Sequence, residues 1–323
     1  MGTATMWAAR VHAFGGPEQM VYEEVPRPEA GPGEVLVRVH AAGVNPPDWY
    51  ARRGFENIPE AMRPVRSLPF TPGSDISGVV AEVGSGVTEW QAGDEVFGLV
   101  NFPGRHAGYA EYATSPAAHL ARRPGTLGHV EAAAVPMAAL TAYQFLVEHL
   151  RLGPGGTVLV NGAAGGVGHF AVQLARTRGA GRVIGVASGR HEAFVKDLGA
   201  DRFVDYTQTA AEDVLHEEVD VLVDTVGGPN GHRFLPVLRR GGRIAPVFLG
   251  EYHPERAAAL GISVGGWQVH SSGEQLGVLG GLLDAGRLRV AIDSVFPLSE
   301  AAQAHARAEQ GHIQGKLVLQ VAA

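Results

Sequence analysis

The sequence predicts an α/β protein in which a doubly wound parallel-sheet domain stands beside a smaller, strand-rich domain that the C-terminal tail completes. Three observations predict it. From residue 131 to 270, short apolar runs alternate with stretches of helical periodicity, as β-α-β units with a parallel sheet require. Residues 1–130 instead carry short β-type runs separated by Gly- and Pro-rich turn clusters, the spacing of a strand-rich fold. Residues 271–323 are too few to bury a core alone and are expected to pack back on the first domain. The expected division is therefore 1–130 with 271–323, and 131–270.

In chain order, the first domain is expected to build on "EVLVRVHAAGV" (34–44), "GVVAEVG" (78–84) and "DEVFGLV" (94–100), divided by "PRPEAGPGE", "FTPGSD" and "GSGVTEWQAGD". The helical stretch "EAAAVPMAALTAYQFLVEHLRL" (131–152) opens the second. Its strands are read from "TVLVNG", "RVIGVAS", "RFVDY", "VDVLVDTVGG", "GGRIAPVF" and "GISVGG". The last run, extended to "GISVGGWQV" (261–269), would leave an apolar sheet edge exposed in a monomer, and a homodimer pairing that edge with its copy is expected. The tail supplies the helices "EQLGVLGGLLDAGRL" and "SEAAQAHARAEQ" and the closing strand "GKLVLQV".

Composition narrows the partners. The net charge of −7, with no local basic run, excludes the electrostatic footprint of a nucleic-acid or anionic-membrane binder. A small molecule is the expected partner. The absence of cysteine removes disulfides, thiolate zinc sites, iron–sulfur clusters and cysteine nucleophiles together. The opening "MGTATMWAARVHAF" has neither a basic n-region nor an apolar h-region, and no run approaches the length of a membrane span, so a cytoplasmic location is expected.

The chemistry is carried first by "NGAAGGVG" at 161–168. A strand, "TVLVN", enters it and a helix, "GHFAVQLARTRG", leaves it. That context marks a phosphate-cradling turn, in which small residues admit the backbone to a pyrophosphate and the helix N-terminus favours its charge. Ala163, Gly165, Gly166, Val167 and Gly168 are the candidate contacts; a plain packing turn between strand and helix is the alternative. At the end of the second strand an acidic residue would hold the 2′-hydroxyl of NAD, but this chain reads "VIGVASGRHEAF". Ser188 and Arg190 stand there and suit a 2′-phosphate, hence NADPH, whereas Glu192 lies further into the following helix. Arg190 as a solvated surface residue is the other reading.

With these placed, the chain resembles the zinc-free branch of the medium-chain dehydrogenase/reductase superfamily, the quinone oxidoreductase and zeta-crystallin group. The resemblance spans nearly the whole length and rests on "AAGVNPPDWYARRG" (41–54), "FTPGSDISGVVAEVGSGV" (70–87), "GYAEYA" (108–113), "LTAYQFL" (140–146), "NGAAGGVG", "VDVLVDTVGG" and "GHIQGKLVL" (311–319). It implies a Rossmann domain and a GroES-like catalytic domain with the active site in the cleft between them. It also implies that Asn45 and Tyr50 face nicotinamide and substrate, that Asp48, a third polar residue of the same stretch, is a catalytic candidate beside them at the reacting face, that Thr141 lies beside the nicotinamide half and that Tyr206 lies near the adenosine phosphate. The residues themselves leave alternatives: Asp48 could pair with Arg52 at helical i, i+4 spacing, and Tyr50 could be a core residue.

Zinc-dependent relatives place a cysteine ligand where this chain has Asn45 and a His-Glu pair where it has Ser74-Asp75. An amide and a hydroxyl do not replace those ligands. No H-x-H or H-E-x-x-H spacing occurs among the 14 histidines, and His106 and His119 read as surface or pocket-edge residues. Without a metal, reduction of a quinone, or of a C=C conjugated to a carbonyl in an enone or enoyl compound, is the less demanding hydride transfer, because hydrogen-bond donors can stabilise the enolate. A cofactor-binding protein of structural or regulatory role, with little turnover, is the alternative. Metal-free alcohol dehydrogenation would want a Tyr-Lys constellation that the sequence does not display.

Overall fold

A computed structural model describes residues 4–56, 58–104 and 107–322; His106 lies outside them. Six parallel strands form one sheet, in the spatial order Arg202–Asp205, Arg182–Ala187, Thr157–Asn161, Val219–Asp224, Leu238–Pro246, Ser263–Val264. Numbered along the chain this is 3-2-1-4-5-6, with the reversal of order between Thr157–Asn161 and Val219–Asp224. Such sheets bind ligands in the crevice at the carboxyl ends of strands flanking that reversal. Each of the six apolar runs read from the sequence supplies one of these strands.

The last of them is shorter than expected. Only Ser263–Val264 pairs with its neighbour, because the chain turns away at Gly265-Gly266 and Trp267 stacks on His149 with ring centroids 4.6 Å apart. The apolar edge expected over 261–269 is thus largely consumed by packing within the chain.

The second sheet joins the first third of the chain to its end. Its order is Ile292–Pro297, Lys316–Gln320, Glu34–Val44, Asp75–Val83, Glu95–Leu99, Leu120–Arg122, with Tyr112–Pro116 also paired to Glu34–Val44. The closing strand runs antiparallel to the third, with Leu317 opposite Val44. This register sets Lys316 beside the residue that follows Val44. An N-terminal hairpin, Thr5–Val11 with Met20–Pro26, forms a separate two-stranded sheet that is bridged to the strand-rich domain at Ala8–Ala110 and Val11–Phe70.

The long helical stretch expected over 131–152 is broken. His129–Ala133 packs under the second sheet, a new helix starts at Pro136 and runs to Tyr143, and a π-helical turn covers Gln144–His149. Proline lacks the N–H that a continuous helix would use and fits the first turn of a new one. The largest apolar core fills the space between the two sheets: Phe97 and Leu99 of one meet Val158 and Val221 of the other through Leu140, Phe145 and the helix Gly273–Asp284. The cleft opens along this junction. No helix among the described residues is long and apolar enough to cross a membrane.

Candidate active site

The turn after the first strand of the parallel sheet is tight. Gly162 takes φ 78°, which only glycine adopts without strain, and Gly165 caps the helix Gly166–Thr177. The first-turn amides of that helix have no intrahelical carbonyl to bind and lie beside a cleft of about 1660 Å³. Gly162, Ala164, Gly165, Gly166 and Val167 line it. Two of the expected contacts do not. Ala163 is fully buried against the neighbouring strand, and Gly168 packs on the Gly162 carbonyl. Both shape the turn rather than face its ligand, whereas Gly162 and Ala164, not singled out from the sequence, do face it.

Further along, Ser188 and Tyr206 line the same cleft with His191. Arg190 is exposed beside them, its guanidinium donating to the His312 carbonyl at 2.7 Å and to the His191 ring at 3.0 Å. A carboxylate, Asp205, also stands near Gly189, but its Oδ1 already accepts the amide and hydroxyl of Thr207 at 2.9 and 2.7 Å. A nicotinamide dinucleotide therefore fits this chain: Gly165, Gly166 and Val167 would hold its pyrophosphate, with Ser188 and Tyr206 at the adenosine end.

Thr141, Asn45 and Tyr50 line the same cleft. Thr141 spends its hydroxyl hydrogen on the Met137 carbonyl one turn back, at 2.7 Å. The Tyr50 ring lies 5.0 Å from that of Phe248, contributed by the opposite domain, and burial pushes the Tyr50 hydroxyl above its ordinary range. Asn45 begins the helix Pro46–Arg52, whose two leading prolines are preset for a first turn.

Asp48, expected at the reacting face, stands behind it instead. As the third residue of that helix it turns its carboxylate back to the helix start, accepting the Asn45 N–H at 2.8 Å, the Gly73 N–H at 3.1 Å and the Tyr109 hydroxyl at 3.2 Å. It is wholly buried and does not line the cleft. Nor does it pair with Arg52, whose guanidinium binds Glu309 and the Gly15 carbonyl.

Sequence reading did not single out two neighbours of Asn45 as site residues. The Asn45 Nδ2 donates to Asp75 Oδ2 at 2.8 Å, and its Oδ1 accepts from Lys316 Nζ. Lys316 also donates to the Val44 carbonyl at 2.7 Å, and Asp75 Oδ1 accepts the Met137 N–H at 2.8 Å. Burial pushes the carboxyl of Asp75 up to about 7 and that of Asp48 up to about 6, against the pull of Lys316. It pushes the ammonium of Lys316 down, against the pull of both carboxylates. The available signal was that Lys316 is one of only two lysines in the chain and lies within "GKLVL".

These side chains do not suit zinc. The positions of Asn45, Ser74 and Asp75 offer an amide, a hydroxyl and one carboxylate, and an ammonium already occupies the amide oxygen. Among the described residues no group of three or more His, Cys, Asp or Glu is placed to hold a metal.

Behind Asp48, Tyr109 faces buried His305, whose Nε2 is 3.3 Å from the phenol oxygen. Burial lowers the pKa of His305 to about 3. An unfolded His binds its proton near 6.5, so below that pH the unfolded chain takes up a proton that the folded one refuses, and stability falls as pH drops from 6.5 towards 3. The raised Asp48 and Asp75 act in the opposite direction. Against wild type, His305→Gln should therefore lose less stability between pH 6.5 and 4.5, by about 2 kcal/mol; parallel melting curves that keep the same gap at both pH values would contradict this.

Comparison with known proteins follows the same outline. The profile described as "Alcohol dehydrogenase GroES-like domain" matches residues 31–125, and that described as "Zinc-binding dehydrogenase" matches residues 198–319. The quinone oxidoreductase of Sus scrofa is 35% identical, over 94% of this chain and 94% of its own. Among solved structures, the quinone oxidoreductase from Coxiella burnetii superposes with a TM-score of 0.90 at 34% identity, covering 98% of this chain and 100% of that one. A mycobacterial protein solved with NADPH gives 0.85 at 29% identity, over 98% and 100%.

Proposed function

Since the chain belongs to the zinc-free quinone oxidoreductase family of the medium-chain dehydrogenase/reductase superfamily, we propose that it passes a hydride from NADPH, without zinc, to a quinone or to the C=C of an α,β-unsaturated carbonyl compound. The observation that carries this reading is the placement of the Asn45 amide, fixed between Lys316 and Asp75, on the same cleft that the glycine turn lines. Bound NADPH supplies the hydride. The chain does the rest: the glycine turn and helix N-terminus hold the pyrophosphate, Thr141 and Tyr50 confine the reacting end, and Asn45 donates to the oxygen on which negative charge develops. For an enone, hydride on the β-carbon leaves an enolate, and water then protonates the α-carbon. Such a substrate asks the protein only for donors aimed at one oxygen.

NADPH rather than NADH is inferred from Ser188 and Arg190 at the end of the second strand, which carries no carboxylate of its own, while Asp205 of the neighbouring strand is engaged by Thr207. The superfamily includes a solved neighbour named NAD-dependent alcohol dehydrogenase as well as one with NADPH bound, so both cofactors belong in the test. Anaerobic oxidation of NADPH and NADH by metal-free protein is measured against quinones, enones and enoyl thioesters, for wild type and Arg190→Ala. NADPH turnover dependent on one of these acceptors is expected. In the variant NADPH should bind roughly ten- to hundredfold more weakly, the worth of a hydrogen bond to a charged group, with NADH little changed. No turnover with any acceptor, or turnover only with added zinc, would overturn the proposal; equal loss for both cofactors would remove Arg190 from the discrimination.

A further inference from the structure

The surroundings of Asn45 specify more than its place. A side-chain amide has an oxygen that accepts and a nitrogen with two hydrogens to give, and its two orientations have the same shape. Here the flanking groups decide between them. An ammonium has only hydrogens to donate, and Lys316 Nζ faces Asn45 Oδ1. Once ionised, above its raised value of about 7, the Asp75 carboxylate only accepts, and its Oδ2 faces Asn45 Nδ2 at 2.8 Å. Turning the amide over would set N–H against ammonium and oxygen against carboxylate, so one orientation is excluded on both sides at once. The second Nδ2 hydrogen has no acceptor among the described residues.

Lys316 is itself held rigidly. It is 4% exposed, its second hydrogen bond goes to the Val44 carbonyl at 2.7 Å, and its stem lies against the glycine turn: a Cβ added at Gly166 would come within 3.0 Å of Lys316 Cδ. Asp75 is fixed from its other side by the Met137 N–H at 2.8 Å. A buried positive charge thus sits under the amide, in a pocket whose side chains do not suit a metal.

We propose that Lys316 and Asp75 are a positioning pair that makes Asn45 an obligate hydrogen-bond donor to the cleft, with the ammonium of Lys316 supplying the positive charge beneath the developing oxyanion. This rests on the hydride-transfer reading given above and deepens it: the site accepts carbonyl and quinone oxygens and has no matching acceptor at Asn45 for the hydroxyl of an alcohol substrate. Lys316 acts through Asn45 and need not touch substrate.

The experiment is a double-mutant cycle on the best acceptor, with Asn45→Ala, Lys316→Met and both together, supplemented by Lys316→Arg. Lys316→Met is expected to lower kcat about a hundredfold while NADPH Kd, read by fluorescence titration, stays within about threefold, the size of effect seen when a preorganised donor to an oxyanion is lost. Lys316→Arg, which keeps the charge and donors, should recover activity to within about tenfold of wild type. The double variant should be no slower than Asn45→Ala alone, because two residues that act as one unit do not add. If Lys316→Met does not fold, Lys316→Met with Asp75→Asn removes both charges and carries the same expectation. Wild-type-like kcat in the folded Lys316 variant, or losses that multiply in the double variant, would overturn the pair. Should Asn45→Ala itself turn over like wild type, the donor role in the hydride-transfer reading falls instead.

Discussion

Replacing Asn45 by alanine is expected to lower kcat by roughly 10² to 10³, the cost of removing one preorganised donor to a developing oxyanion, while NADPH affinity is kept. The second part of that expectation is geometric. The groups that would hold pyrophosphate and adenosine, Gly165, Gly166, Val167, Ser188 and Tyr206, lie on the parallel-sheet domain, whereas Asn45 comes from the other. The substitution has a structural cost as well, since it strips Lys316 and Asp75 of one partner each, and a buried unsatisfied polar group costs about 1–3 kcal/mol. Melting curves must therefore accompany the kinetics. Tyr50→Phe removes only a hydroxyl, and its expected loss is smaller. With 4-deuterated NADPH, label should appear at the β-carbon of a reduced enone. A wild-type kcat in folded Asn45→Ala protein would take the amide out of the chemistry, and unlabelled product would take out hydride transfer itself.

Gly168→Ala should damage both stability and cofactor binding, although Gly168 does not line the cleft. A Cβ there would lie 2.0 Å from the Gly162 carbonyl oxygen and 2.9 Å from Ala163 Cα. These are backbone atoms of the turn, so relief requires the turn and helix to separate. Overpacking of this kind costs about 1–3 kcal/mol, and the displaced amides would no longer converge on one phosphate group. We expect NADPH affinity to fall by more than about tenfold and the melting temperature to drop. Gly277→Ala is the control: nothing lies within 4 Å of the added carbon, the site is exposed and helical, and alanine should raise stability by up to about 1 kcal/mol. Equal, small effects at both positions would show that the close approach at Gly168 is not enforced.

The contrast between these two glycines bears on what a sequence discloses. "NGAAGGVG" marks a candidate cofactor turn because strand, turn and helix are contiguous, and their hydrogen bonds close within a few residues. It does not disclose which small residue faces the ligand and which faces the protein. Ala163 and Gly168 turn inward while Gly162 and Ala164 turn outward, a division set by φ at Gly162 and by the neighbouring strand. Asp48 carries the same lesson. Its place three residues after Asn45 is the pattern of a helix start, in which a carboxylate reaches back to the first free amide; that local use outweighed the reading that placed it at the reacting face. The edge run 261–269 failed for a different reason. Trp267 finds a partner in His149, more than 100 residues earlier, and periodicity holds no information about such a contact.

Fold class, the order of the six parallel strands along the chain, the glycine turn between the first strand and its helix, and the candidacy of Asn45 were determined by the sequence by itself. The first three depend on hydrophobic periodicity and turn chemistry, which act over a few residues, and the last on the resemblance of its stretch to a family motif. What only the tertiary structure decided is the electrical setting of Asn45. Asp75 lies 30 positions away and Lys316 lies 271, and they converge because Glu34–Val44 is paired antiparallel on both sides, with Gly43 opposite Asp75 on one neighbour and Val44 opposite Leu317 of the closing strand on the other. A shift of one residue in that pairing would turn the Lys316 side chain to the other face of the sheet. Register is fixed by burying the alternate apolar faces of both strands at once, a condition on the assembled sheet that no short stretch of the chain contains.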